Sequence, residues 1–327
     1  MLPSEAPASI SIVIPVFSGA TTLPAVVAEI EPYTRPGVTP GGRSFRVTEL
    51  ILVHDGAVDA SDQIMEELRA RFSFVSLIWL SRNYGQHPAT LAGMASTSSE
   101  WVVTMDEDGQ HDPRCLGEML DRAVLESAQT VYGIPSNAPP HGPLRNAASG
   151  LAKVLFVLLL DPSGLGTFSS FRLVSGEIAR SLAAYCGSNV YLDVALSWVV
   201  ARTARVPVAM RNIGERPSGY TYSRLFTHFW RLVVSSGTRP LRLIALIGSL
   251  SILAAGGLAA YALWEKLTQR VPIQGWTSIV IAICLFSGLI LFSLGVISEY
   301  LGVAINMAMG KPLFLVVSKP VTRSRGT

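Results

Sequence analysis

The sequence predicts an α/β domain on a mostly parallel sheet, with helices on both faces, followed by two membrane-spanning helices. Three observations carry this reading. Short β-branched runs alternate with helix-length segments up to about residue 210. Near the C-terminus, two stretches of 22 and 23 residues hold no charge at all. Charged residues make up only 15% of the 327-residue chain, against about 25% in ordinary soluble domains, so part of the protein is expected not to face water.

The N-terminal "MLPSEAPASISIVIPVF" has no basic region ahead of its apolar run, and Pro15 interrupts that run. It therefore reads as a first strand rather than a secretion signal. Further strands are expected at "ELILVHD", "VSLIWLS", "WVVTMD" and "TVYGI", with helices over 21–33, 60–72, 87–98 and 113–127. In such sheets ligands bind outside the carboxyl ends of the strands. Three strands here end in polar loops, 15–19, 54–59 and 106–112, which are expected to meet at one edge. No GxGxxG follows the first strand and no Walker A sequence is present, which argues against a nicotinamide site or a P-loop. A Pro-rich loop, 133–143, leads into "LRNAASGLAKVLFVLLLDP", whose residues 151–160 read equally as a core helix or as an interfacial one. A strand at "SSFRLV", two helices and "ARVPVAM" complete the domain near residue 210.

Leu243–Trp264 and Trp276–Ser298 are each long enough to cross a hydrocarbon core of about 30 Å. Arg231, Arg239 and Arg242 precede the pair, and Lys311, Lys319, Arg323 and Arg325 follow it. The connection holds only Lys266 and Arg270, so the positive-inside rule places both termini in the cytoplasm. The expected organisation is a cytoplasmic catalytic domain over 1–210, a loop and amphipathic juxtamembrane helix over 211–242, a membrane hairpin over 243–303 and a cytoplasmic tail over 304–327. The three cysteines are far apart with no CxxC pair, which fits a reducing compartment. A net charge of +3 without any Lys/Arg block gives no case for nucleic acid as a partner.

The most chemically loaded stretch is "TMDEDGQHDP", residues 104–113. Asp106 and Asp108, one residue apart at a strand end, repel each other unless a cation lies between them; hard oxygen ligands suit Mg²⁺ or Mn²⁺. Gln110 adds a neutral carbonyl oxygen. A metal with so few protein ligands keeps positions open for substrate phosphates. Asp112 reads instead as the cap of the helix begun at Pro113. The alternative for the whole stretch is a solvated acidic loop. Nothing in the sequence gives Glu107 or His111 a necessary role.

Taken together, "SIVIPVF", "ELILVHDGAVDASD", "LSRNYGQHPATLAGM", "VVTMDEDGQHDP", "SSFRLVSGE", "GERPSGYTYSRL" and "ISEYLG" resemble, in order and spacing, the polyprenyl-phosphate glycosyltransferases. These are similar to dolichyl-phosphate mannose synthase and belong with the family-2, GT-A (Rossmann-like) enzymes. The resemblance implies an inverting, metal-dependent transfer of a sugar from a UDP or GDP donor to a polyprenyl phosphate, at the cytoplasmic face of a cell membrane that the chain crosses more than once. It implies Asp106, Asp108 and Gln110 as the metal and diphosphate motif, and Pro15, Val16, His54, Asp55, Arg82 and Gly85 as the lining of the nucleotide-sugar pocket. Arg145 and Ser149 match an acceptor-phosphate segment; Arg216, Ser218 and Tyr222 match a loop that covers the phosphates. Asp106, Asp108, Arg145 and Arg216 are then the expected catalytic residues. The lipid bilayer is the remaining partner, and the organisation is also compatible with a homo-oligomer.

Two positions depart from the family. His54 stands where relatives often have Asp: it either donates to a nucleobase carbonyl or is a packed strand-end histidine. Ser170 stands where an Asp often precedes "FRL", and Ser169 and Ser170 are expected to hydrogen-bond locally. Rival readings are a processive polysaccharide synthase, which would carry a QxxRW motif and more spans, and a membrane-anchored nucleotide-sugar sensor or inactive scaffold.

Overall fold

Apolar residues on both sides of the pleat dictate a buried central strand, β1 (Ala8–Val16). Ile10, Ile12, Ile14 and Val16 face one way, Val13 the other, and all are buried. Such a strand needs cover on both faces. The computed structural model describes residues 6–136, 169–187, 191–211 and 275–319, with scattered residues between 244 and 268. Helices α1 (Leu23–Ile30), α2 (Ser61–Arg71) and, after α3 (Gln86–Ala95), α4 (Leu116–Leu125) pack on the Ile10 face. The Val13 face is covered by α3, α5 (Gly176–Tyr185) and α6 (Leu192–Val199). Gly93 lets α3 lie hard against β1, since a Cβ there would sit 2.2 Å from Val13 Cγ1.

The remaining strands are β2 (Gly37–Val38), β3 (Ser44–His54), β4 (Val75–Leu80), β5 (Trp101–Thr104), β6 (Thr130–Pro135), β7 (Arg172–Ser175), β8 (Thr203–Val208) and β9 (Val316–Val317). The sheet runs β8-β6-β7-β5-β1-β3-β4-β9, with β2 paired to β3. β1 is parallel to β3 and β5, and β3 to β4, while β7 lies antiparallel between β5 and β6. The mostly parallel sheet expected from the sequence is therefore present. From β1 the chain builds outward through β3 and β4, then crosses back to place β5 on the other side of β1. That reversal opens a crevice at the carboxyl ends of β1 and β5, where ligands of open α/β sheets bind.

β2 and β9 escape the sequence pattern, and β3 starts earlier than expected. β3 begins five residues before "ELILVHD" because its first part alternates exposed and buried positions at the sheet margin. β9 comes from the segment read as a tail: Val316 and Val317 pair antiparallel with Leu80 and Trp79, and Leu313 and Phe314 pack against the Val13-side core. The Ser81 N–H donates to the Leu315 carbonyl at 3.0 Å. Lys319 Nζ lies 5.2 Å from the centroid of Trp79 and 3.5 Å from Glu66 Oε1. An open edge on β4 would expose unpaired peptide groups, and this segment covers it.

The chain divides into two units: the described residues through Arg211 together with 312–319 form the first, and the second holds α7 (Trp276–Ala308) and the described residues between 244 and 268. Within α7, Leu285–Asn306 has a mean hydropathy of 1.9, with 6% of its most apolar window buried. Leu285, Leu291 and Phe292 stand more than half exposed, as lipid-facing side chains would in an isolated chain. Among the described residues this is the one helix long and apolar enough to span a membrane; most of Leu243–Trp264 lies outside them, so the second span is not seen. Cys115 and Cys186 are free thiols.

Ending the chain at Gly310 removes β9 together with Leu313 and Phe314. The apparent melting temperature of the detergent-solubilised protein is expected to fall by about 5 °C or more; an unchanged value would mean that β9 contributes nothing to the sheet.

Candidate active site

One carboxylate ties together the loops that follow β1 and β5. Glu107 Oε2 accepts the Phe17 N–H and Oε1 the Ser18 N–H, each at 2.9 Å. Gly19 follows because a Cβ there would lie 2.6 Å from Glu107 Oε2. Beside it, the Gly19 N–H donates to Ser61 Oγ at 3.0 Å and the Ala20 N–H to Asp59 Oδ2 at 3.1 Å, while the Val58 N–H donates to the Phe17 carbonyl at 3.2 Å. The loops after β1, β3 and β5 thus meet at one edge. Glu107, for which the sequence offered no role, is the residue that joins two of them.

Pro15 and Val16 remain in register in β1, opposite Val53 and His54. The Val16 side chain is fully buried and its carbonyl accepts the Asp55 N–H at 2.9 Å. Asp55 is 3% exposed, and its two oxygens accept the Tyr84 N–H at 2.7 Å and the Gly85 N–H at 2.8 Å. Burial pushes its pKa up, against the pull of those two amides and of Arg82. Asp55 therefore shapes the loop carrying Arg82 and Gly85. Gly56 makes the approach possible: its φ is +65°, and a Cβ would meet Asn83 N at 2.8 Å. Arg82 stacks its guanidinium 4.2 Å above the Tyr84 ring. Strand alternation puts His54 on the other face, with Leu50 and Leu52. Its ring lies 4.7 Å from Trp79, burial lowers its pKa, and its buried Nδ1 has no hydrogen-bond partner among the described residues.

The acidic stretch is bent rather than extended. β5 ends at Thr104, and the chain turns through Gly109 at φ +74°. Asp106 sits half-buried between two neutral donors: Gln86 Nε2 reaches Oδ1 and Ser170 Oγ reaches Oδ2, each at 2.6 Å. The expectation that Ser170 bonds only locally is corrected, because its hydroxyl spans 64 positions to Asp106. Its carbonyl in turn accepts from Thr104 Oγ1 at 2.6 Å. The Asp106 N–H donates to His111 Nδ1 at 3.0 Å, and the buried imidazole stacks on Phe171 with centroids 4.9 Å apart and planes 13° apart. Burial lowers the His111 pKa, although Asp106 and Asp108 are both near enough to pull it up. Its Nδ1 is the acceptor through which the ring braces Asp106.

Asp108 Oδ1 accepts the Gln110 N–H at 3.0 Å, while Oδ2 has no hydrogen-bond partner among the described residues. Asp112 caps the 3₁₀ turn Pro113–Cys115 by accepting the Arg114 N–H at 2.9 Å, as the sequence predicts, and Arg211 Nη2 adds a contact at 2.8 Å. Burial alone would raise the Asp112 pKa; the bonds from Arg114 and Arg211 overcome it and hold the carboxyl at about 2.

Behind the turn lies a buried network absent from the sequence reading. Arg172 pairs with Asp193, which also accepts from Tyr132 Oη at 3.1 Å, and Arg172 Nε reaches Thr104 Oγ1 at 3.1 Å. A charge on "FRL" and another on the following helices were its only signals. Among the described residues no group of three or more His, Cys, Asp or Glu side chains gathers as a metal cluster. The donors offered by Asp106, Asp108 and the Gln110 amide are hard oxygens of the kind a divalent ion uses when substrate phosphates complete its shell; they do not form a closed zinc site. Arg145, Ser149, Arg216, Ser218 and Tyr222 lie outside the described residues.

Residues 11–170 match the family described as glycosyl transferase family 2. Over nearly the full chain, the sequence is 26% identical to an undecaprenyl-phosphate 4-deoxy-4-formamido-L-arabinose transferase of Klebsiella pneumoniae, covering 97% of this chain and 96% of that one. It is 27% identical to the protein of the same name from Pseudomonas paraeruginosa, covering 94% and 89%. Among solved structures, glucosyl-3-phosphoglycerate synthase from Mycobacterium tuberculosis in complex with UDP aligns with a TM-score of 0.50 at 20% identity, covering 71% of this chain and 80% of that one, a likeness of fold.

Glu107→Gln keeps the size of the side chain but leaves a single oxygen for two backbone amides. A loss of about 1–3 kcal/mol is expected in denaturant unfolding of the protein. Unaltered stability would remove Glu107 as the link between the two loops.

Proposed function

Residues 11–170 belong to glycosyl transferase family 2, and on that premise we propose that this protein transfers a sugar from a nucleotide diphosphate donor to a polyprenyl phosphate. The observation that carries the proposal is likeness to two undecaprenyl-phosphate sugar transferases across 94% and 97% of the chain, well beyond the family domain and through the apolar C-terminal part. The site agrees with it, for the acidic turn lies at the reversal point of the sheet. The end of β1 carrying Pro15 and the loops carrying Asp55, Arg82 and Gly85 stand beside that turn to take the nucleotide.

Departure of a nucleoside diphosphate leaves charge to be stabilised, and this is the main demand on the site. Asp106 and Asp108, with Gln110, would hold Mg²⁺ or Mn²⁺, which when bound supplies that stabilisation. Gln86 and Ser170 orient Asp106 in advance, and His111 fixes its backbone. The acceptor is a phosphate monoester with a second pKa near 6, already anionic at neutral pH, so its attack needs placement rather than a general base. A serine at position 170 is consistent with that, and His111 is already committed as an acceptor to the Asp106 N–H. Placement of the acceptor is assigned to Arg145 and Arg216, with Ser149, Ser218 and Tyr222 beside the phosphates. Attack in line with the leaving group inverts the anomeric centre.

Chain continuity supports the proposed two-span arrangement. β9 belongs to the same sheet as β1, so the chain leaving after Arg211 returns to the side it left. This supports an even number of crossings: α7 as one and Leu243–Trp264 as the other, with both termini and the catalytic domain in the cytoplasm.

The test offers the purified protein Mg²⁺, undecaprenyl phosphate and a panel of UDP and GDP sugars, and weighs lipid-linked products by mass spectrometry. Asp108→Asn is expected to lower transfer at least about 100-fold without changing the melting temperature; transfer at the wild-type rate would rule out its metal role. Ser170→Ala removes one of two donors to Asp106 and is expected to slow transfer about tenfold.

A further inference from the structure

Gln110, the third member of the acidic motif, follows the turn at Gly109, whose φ is +74°. Its amide N–H is held by Asp108 Oδ1 at 3.0 Å. On its other side, its carbonyl accepts the Arg211 N–H at 3.2 Å. The Arg211 side chain then forks: Nη2 lies 2.8 Å from Asp112 Oδ1, two residues beyond Gln110, and Nη1 pairs with Glu29 Oε2 in the last turn of α1. Two segments distant in sequence, α1 and the 110–112 turn, thus converge on Arg211, whose side chain is 27% exposed.

We propose that Arg211 is a positioning residue for Gln110, tying the second limb of the Asp106–Asp112 turn to α1 and so holding the metal-ligand set in shape. This rests on the reading of Asp106, Asp108 and Gln110 as metal ligands. An isolated surface ion pair would contribute little. Here a planar fork bridges two carboxylates on different elements while the main chain of the same residue holds the Gln110 carbonyl, so the parts restrain one another. Lysine has a single point of charge and cannot span Asp112 and Glu29 in this way. Arg114 also pairs with Asp112, but its side chain is 77% exposed and, among the described residues, it makes no bridge to another helix.

The experiment titrates Mn²⁺ by electron paramagnetic resonance into the full-length protein with UDP present, for wild type, Arg211→Ala and Arg211→Lys, alongside kcat and the metal concentration for half-maximal transfer. Arg211→Ala is expected to weaken Mn²⁺ binding about 5–10-fold and to raise the half-maximal metal concentration in parallel. Its kcat at saturating metal should stay within about threefold of wild type, and Arg211→Lys should recover only part of the affinity. Wild-type Mn²⁺ affinity in Arg211→Ala would overturn the inference and leave Arg211 a structural ion pair. If wild type itself bound no Mn²⁺, the ligand reading would fall and this inference with it, a distinct result. Should Arg211→Ala not fold, Glu29→Gln removes only the outer anchor; it is expected to weaken Mn²⁺ binding two- to threefold, and unchanged binding would overturn the inference.

Discussion

The pairing of Glu107 with the Phe17 and Ser18 amides is the constraint on which the site depends. β1 and β5 are neighbours in the sheet, but their pairing stops where β5 ends, with Thr104 opposite Val13 and the Met105 N–H on the Val13 carbonyl. Without a link beyond that point, each loop would be set by its own local turns. A carboxylate facing two consecutive N–H groups supplies the link and leaves no room for a side chain at Gly19. The remaining loops attach to this pair: the β3 loop through Phe17, and the α3 entrance through Gln86 on Asp106.

Four acidic residues within seven positions would be unstable if all faced one cavity. The structure divides them. Glu107 is satisfied by backbone amides and Asp112 by arginines and a helix-start amide, while Asp55, a strand away, is satisfied in the same manner as Glu107. Asp106 and Asp108 remain as carboxylates whose side-chain hydrogen bonds, among the described residues, come from neutral donors. Neutral donors orient an oxygen without cancelling its charge, which is what a cation site requires. Behind them, Arg172 with Asp193 and Tyr132 forms a buried polar layer. Such a network keeps its geometry because leaving any member unpaired is costly.

The C-terminal segment shows the same economy. A strand of two residues contributes few hydrogen bonds, yet it covers the β4 edge, adds Leu313 and Phe314 to the core and brings Lys319 over Trp79. It also places residues on both sides of the apolar C-terminal region within one sheet.

Much of the fold was legible in the amino-acid sequence because its signals are local. The apolar runs of β1, β3, β4, β5 and β6, the intervening helices, the Asp112–Pro113 helix start and the apolar length of α7 are each set by residues within a few positions of one another. Two-residue β9 carried no such signal, since pairing that short is decided by the edge it meets. In the candidate site, the sequence determined which residue types stand at the strand ends, and hence the chemistry available there. Only the tertiary structure decided their use, because the partners lie far apart along the chain: Glu107 bonds amides about 90 residues away, Ser170 reaches Asp106 across 64 positions, and Arg211 reaches Glu29 across 182. No spacing rule records a contact that exists only once the sheet has brought those loops to the same edge.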